Sequence, residues 1–167
     1  TRSRIAVFVS GSGRSLENLV ALANSGALDV EIALVVTNKA DCFALERARK
    51  HGIAAVVIDP ERKLSPAEFG RAAFAACDAA RCDLVVFAGF LHLAEIPVRW
   101  TGRVLNIHPS LLPAFDGKDF YDDKVHATVL TSNVAKTNCT MHYVTNEYNH
   151  GPILLQRKMA VQTGDDM

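Results

Sequence analysis

The chain has 167 residues, enough for one compact α/β domain with its own core and too few for a comfortable second one. Lysine plus arginine equals aspartate plus glutamate at 18 each, a formal net charge of zero, and no terminal charge block marks the chain for nucleic acid or an anionic membrane, which leaves room only for a local basic patch. Its longest apolar runs, such as Leu84 to Gly89, fall far short of the roughly 20 residues that span a bilayer.

From the N-terminus, Ile5 to Val9 reads as a buried strand that starts at once, with no signal-peptide layout before it. A soluble, cytoplasmic protein is expected. Helix-period segments then alternate with β-branched runs: Ser15 to Asn24 as helix, Ile32 to Val36 as strand, Cys42 to His51 as helix and Ala54 to Ile58 as strand. Pro66 to Ala80 reads as helix and Leu84 to Ala88 as strand. This alternation predicts right-handed β-α-β units around a parallel sheet, a doubly wound α/β fold with helices on both faces. Ser15 is expected to cap a helix beginning at Leu16, and Ser65 one beginning at Pro66, with Glu68 completing a capping box.

The second half changes character. Val104 to His108 reads as a further strand, followed by the loop Pro109-Ser110-Leu111-Leu112-Pro113. A helix is expected over about Tyr121 to Thr131, and two β-like runs, Thr140 to Val144 and Ile153 to Val161, flank a loop over Thr145 to Pro152. These runs predict an antiparallel C-terminal extension of a mostly parallel sheet.

Cys42, Cys77, Cys82 and Cys139 form no C-x-x-C pair and read as reduced core thiols. The six histidines (His51, His92, His108, His126, His142 and His150) lack H-E-x-x-H or similar spacing, so no metal is expected.

Three segments are candidates for chemistry. Ser10-Gly11-Ser12-Gly13-Arg14-Ser15 lies between a strand and a helix, where glycines let a ligand approach the backbone and helix N–H groups favour an anion. Leu16 replaces the third glycine of a dinucleotide fingerprint and Thr37-Asn38-Lys39 supplies no acidic ribose ligand; the Gly-Lys-Ser/Thr ending of a P-loop is absent too. Taken alone, the segment is equally a tight turn that binds nothing.

In Leu105-Asn106-Ile107-His108-Pro109-Ser110, strand alternation points Asn106 and His108 to one side, near the carboxyl end of the strand where ligands of open α/β sheets bind. An amide donor beside an imidazole can stabilise an oxyanion and move a proton. The competing reading is a strand-end histidine bonded to a loop carbonyl. The third segment, Val144 to Pro152, is on its own a polar surface turn.

Ser10-Gly11-Ser12-Gly13, Val86-Phe87-Ala88-Gly89-Phe90-Leu91, Leu105 through Pro113, and Gly151-Pro152-Ile153-Leu154 occur together in an order and spacing that resembles the phosphoribosylglycinamide formyltransferases across nearly the whole chain. The resemblance implies transfer of a formyl group from 10-formyltetrahydrofolate to the amine of glycinamide ribonucleotide in purine biosynthesis. By matching position it assigns Gly13, Arg14 and Ser15 to the substrate phosphate. It places Leu91, His92, Leu93 and Ala94, with Asn106 and the loop Thr145, Asn146, Glu147, Tyr148 and Asn149, in the folate pocket. Asn106 and His108 match the catalytic Asn and His, and Asn149 stands where the family carries a catalytic aspartate. Neither a metal nor a covalent protein intermediate is implied, and the partners are these two small molecules, with the chain as monomer or homodimer.

The asparagine removes the charge that would favour a protonated imidazole, so turnover is expected to suffer more than ligand affinity. His92 occupies a position often basic in relatives. The sequence stops at Gly164-Asp165-Asp166-Met167, where the family continues into a helix with an acidic nucleotide contact; the expectation is one formyltransferase domain over 1–167, short of that helix, with weaker nucleotide binding.

Three alternatives compete. A formyltetrahydrofolate hydrolase shares the Asn, His and Asp constellation but usually adds a regulatory domain. A methionyl-tRNA formyltransferase calls for a basic tRNA-binding domain. A non-catalytic folate- or nucleotide-binding relative would keep the pocket without the chemistry, a reading favoured by Asn149 and opposed by Asn106 and His108.

Overall fold

The computed structural model describes residues 2–108, 136–147 and 151–160, those at 136–138 and 158–160 by their backbone alone. The chain divides into two compact units, Thr1–Leu105 and Asn106–Met167.

The first unit contains β1 (Ser3–Val9), α1 (Arg14–Asn24), β2 (Val30–Thr37), α2 (Phe43–Lys50), β3 (Ala55–Val57), α3 (Pro66–Ala79) and β4 (Leu84–Ala88), then a 3-10 turn at Val98–Trp100. Strands run in the order β3-β2-β1-β4, all parallel. The chain winds outward from β1 to β3, then returns to the other side of β1. Right-handed crossovers therefore put α1 and α2 on one face and α3 on the other, as expected for a doubly wound fold. The reversal between β1 and β4 creates a switch point at their carboxyl ends.

Local chemistry explains the helices. Leu16, Val20 and Ala23 of α1 are buried at helical spacing, and Phe69, Ala73, Phe74 and Cys77 do the same for α3. Ser65 caps α3 through the expected capping box with Glu68, and Pro66 opens it. Phe8 of β1 packs with its ring centroid 5.8 Å from Phe74 of α3, 5.1 Å from Phe87 of β4 and 5.3 Å from Phe90. Truncating Phe8 to alanine there removes about 3–5 kcal/mol.

One expectation about this unit needs correction. Helix α1 starts at Arg14 with Gly13 as its N-cap in the left-handed region, φ 71°, and no side chain caps it; Ser15 lies inside the first turn. A glycine accepts that conformation without the Cβ penalty a serine cap would carry. The 3-10 turn was not foreseen, because its signal is only Pro97 followed by three residues too few to show a period.

β5 (Val104–His108) straddles the division. The second unit continues with β6 (Lys136–Tyr143) and β7 (Ile153–Ala160), in the order β5-β6-β7. β6 and β7 are antiparallel, with a register shift between Met141 and His142. β6 begins four residues earlier than expected, because Lys136-Thr137-Asn138-Cys139 lacks apolar alternation and is strand by pairing with Arg157 to Ala160. The loop Pro109–Pro113 and the helix expected over Tyr121–Thr131 lie outside the described residues.

Candidate functional site

At the carboxyl end of β1 the chain is fixed by Ser10, which is 1 % exposed. Its N–H donates to the Gly89 carbonyl at 3.1 Å, and its hydroxyl donates to Asn38 Oδ1 at 2.9 Å while accepting the Leu91 N–H at 2.9 Å. One serine thus ties together the loops that follow β1, β2 and β4. The first bond of α1 runs from the Glu17 N–H to the Gly13 carbonyl at 3.0 Å, so the turn at Arg14 and Ser15 directs its N–H groups outward along the axis, where the helix dipole favours an anion. A Cβ on Gly13 would lie 2.8 Å from that of Ala44, which shows how closely α2 backs this loop.

After β4, Gly89 turns with φ 70°. Leu91 and Leu93 are exposed, and His92 and Ala94 half-buried. The His92 ring meets Phe69 edge-on at 4.5 Å, and burial pushes its pKa below the ordinary histidine range. Among the described residues, His92 Nε2 and Asn38 Nδ2 are buried side-chain nitrogens without a hydrogen-bond partner. Groups of this kind are the ones a bound polar molecule would satisfy.

In the second unit, Asn106 is partly exposed and His108 is 5 % exposed, two residues apart on β5 as the strand reading required. The sequence reading missed His142, which is 1 % exposed. Asn106 Nδ2 lies 3.1 Å from His142 Nε2, and His142 Nδ1 lies 2.9 Å from the Tyr143 carbonyl. A carbonyl only accepts, so Nδ1 carries the proton and Nε2 accepts from the amide of Asn106. Burial pushes the pKa of His142 down, outweighing the Tyr143 hydrogen bond that would raise it. The available signal was strand alternation, which puts Thr140 and His142 on one face of β6; both are buried.

Thr145, Asn146 and Glu147 are exposed. The Thr145 hydroxyl donates to the Glu147 carbonyl at 3.1 Å and accepts the Glu147 N–H at 3.3 Å, which makes a tight turn. Tyr148 and Asn149 lie outside the described residues.

Cys42, Cys77 and Cys82 are buried free thiols, as the core-thiol reading expected, but Cys139 is exposed. Burial pushes Cys77 far up and Cys82 to about 11, so neither is a thiolate nucleophile near neutrality. Among the described residues no three His, Cys, Asp or Glu side chains converge to hold a metal ion, and no helix is long and apolar enough to cross a membrane.

The family model for formyl transferases matches residues 3–167. A chloroplastic phosphoribosylglycinamide formyltransferase from Arabidopsis thaliana is 39% identical over 169 residues, covering 98% of this chain and 57% of the plant protein. The trifunctional purine biosynthetic protein adenosine-3 of Gallus gallus is 37% identical over 97% of this chain, which spans 16% of that relative. The crystal structure of glycinamide ribonucleotide transformylase 1 from Symbiobacterium toebii superposes with TM-score 0.85 at 37% identity, covering 99% of this chain and 76% of that one.

Proposed function

The chain belongs to the formyl transferase family, and from that premise we propose that it transfers a formyl group from 10-formyltetrahydrofolate to the amine of glycinamide ribonucleotide, a step of purine biosynthesis. The observation that carries the reading is on β5: Asn106 and His108 stand two residues apart, with the Asn106 amide held by a buried imidazole. Names of relatives such as the plant formyltransferase support the same chemistry.

In this reading the nucleotide amine attacks the formyl carbon. The new C–N bond leaves a tetrahedral centre whose oxyanion takes hydrogen bonds from the Asn106 amide and His108. Breaking the bond to N10 of the folate completes transfer, and the proton lost by the amine passes to that nitrogen. Gly13, Arg14 and Ser15 are assigned to the nucleotide phosphate. Leu91, His92, Leu93 and Ala94, with Asn106 and Thr145 through Asn149, are assigned to the folate; backbone groups there tolerate the side-chain variety. Asn149, where the family carries aspartate, makes the reaction slower by withholding a charge that favours protonated imidazole. The proposed setting is cytoplasmic, with two small-molecule partners and no metal.

The test is formyl transfer at neutral pH by the full chain alongside Asn149→Asp and His108→Ala. Turnover that rises with the first and disappears with the second is expected. Folate or nucleotide binding without turnover in every form would instead favour a binding protein that has lost the chemistry.

A further inference from the structure

We infer that His142 is a positioning residue that fixes which end of the Asn106 amide faces the reacting formyl group. The inference rests on the transferase reading above, and it adds a residue that neither motif nor spacing singled out.

An asparagine amide presents two faces of opposite chemistry, N–H donors on one side and a carbonyl acceptor on the other. For the role proposed here, a reversed amide would aim an acceptor at the developing oxyanion. What prevents the reversal is the protonation state of the neighbouring ring. His142 donates from Nδ1 to the Tyr143 carbonyl at 2.9 Å, so its Nε2 presents a lone pair. Only the Nδ2 end of Asn106 makes a favourable contact with that lone pair, across 3.1 Å; Oδ1 in its place would set two acceptors against each other. One amide hydrogen is thereby fixed on His142, and the second hydrogen and Oδ1 take defined directions.

The ring is itself held from the far side. Beside it the pairing of β6 with β7 shifts: Met141 pairs with Leu155 and His142 with Ile153, so Leu154 of β7 is passed over, and the strand carrying such an extra residue bends. The Tyr143 carbonyl sits where a Cβ on residue 151 would come within 1.5 Å of its oxygen, while the Tyr143 N–H donates to the Pro152 carbonyl at 2.9 Å. Gly151 therefore allows the carbonyl position that sets the His142 tautomer. A continuous chain of contacts runs from Gly151 through Tyr143 and His142 to Asn106. His142 is 1 % exposed, and burial favours the neutral ring that this arrangement requires.

The experiment combines nitrogen NMR of the imidazoles with kinetics on the full chain and on His142→Gln and His142→Phe. In the unaltered protein at neutral pH, His142 should show a protonated Nδ1 and an unprotonated Nε2, with the Nε2 resonance moving in Asn106→Ala. His142→Phe should lower kcat roughly 10- to 100-fold, the scale of a small misplacement of a reacting group, with KM for both substrates near its original value. Glutamine offers an acceptor to Asn106 and a donor to Tyr143, so His142→Gln should recover most of the rate. A protonated Nε2 in the unaltered chain, or a His142→Phe enzyme with undiminished kcat, would overturn the inference. Absence of transfer by both the unaltered chain and Asn149→Asp would sink the transferase reading instead, and the nitrogen resonances would still decide whether His142 orients Asn106.

Discussion

Arg47 donates its Nε–H to the Ser12 carbonyl across 2.8 Å, so the helix after β2 holds the backbone of the glycine loop after β1. The same guanidinium donates through Nη1 to Glu17 at 3.0 Å, and His51 reaches the other oxygen of that carboxylate at 2.9 Å. The His51 hydrogen bond and then that of Arg47 hold the Glu17 carboxyl below the ordinary carboxylate range. Arg47 thus braces the proposed phosphate loop from behind, its charge matched by Glu17.

Replacing Arg47 by alanine should weaken nucleotide binding more than it slows chemistry. Loss of one charge-assisted hydrogen bond on a positioning loop corresponds to about 1–2 kcal/mol, hence roughly a 5- to 30-fold rise in nucleotide KM. Lysine should not restore affinity, because it lacks the planar fork that reaches Ser12 and Glu17 together. Steady-state kinetics with the nucleotide varied, and an unchanged kcat, are the check.

Gly13→Ala should be costly for a different reason. The position has φ 71°, a region that penalises a Cβ by about 1–2 kcal/mol, and the new atom would lie 2.8 Å from the Ala44 Cβ. Strain and overpacking together predict a loss of at least about 2 kcal/mol, read as a lower urea midpoint at unchanged slope. Retention of the original midpoint would contradict the described loop.

Ser10→Ala removes the hydroxyl shared by Asn38 and Leu91. It leaves a buried acceptor and the Leu91 N–H short of a partner, a loss of about 1–3 kcal/mol. Because Leu91 begins the segment assigned to the folate, folate KM should rise further than nucleotide KM. An equal rise in both would argue against that assignment.

Two histidines that lose solvent on folding set the acid side of stability. His92 and His142 both have pKa values pushed down by burial from an ordinary value of 6.5. Below 6.5 the unfolded chain binds protons that the folded chain refuses, so stability falls as pH drops from there towards the folded values and is fully present above. Denaturant midpoints should be lower at pH 5.5 than at pH 7.5, and His142→Gln should shrink the difference. Proton NMR should show both rings titrating below the exposed range; a normal midpoint for either would remove it from this account.

Period and punctuation made most of the first unit legible. Val7, Phe8 and Val9 announce a strand buried on both faces, and Ser65-Pro66 with Glu68 announces a capped helix; both are present. Such signals survive because they depend on neighbours within one turn or one strand. The start of β6 was hidden because Lys136 to Asn138 are polar and owe their conformation to β7, a partner many residues away. Cys139 was misjudged as core for the same reason: its burial depends on what faces that strand, which spacing does not encode.

The candidate site divides along the same line. The order of residues was enough to place Asn106 and His108 on one strand, to mark Ser10 through Ser15 as a strand-to-helix loop, and to suggest the chemistry proposed for those groups. Tertiary structure alone decided that Ser10 joins three loops, that Arg47 backs the glycines, and that His142 meets Asn106 across 3.1 Å. Strands β5 and β6, which carry residues 106 and 142, are neighbours only in the folded sheet, and the β6–β7 register shifts beside His142. Alternation along a strand is local and can be read from the sequence, whereas the atom a buried side chain finds depends on register and burial, which exist only once the strands have paired.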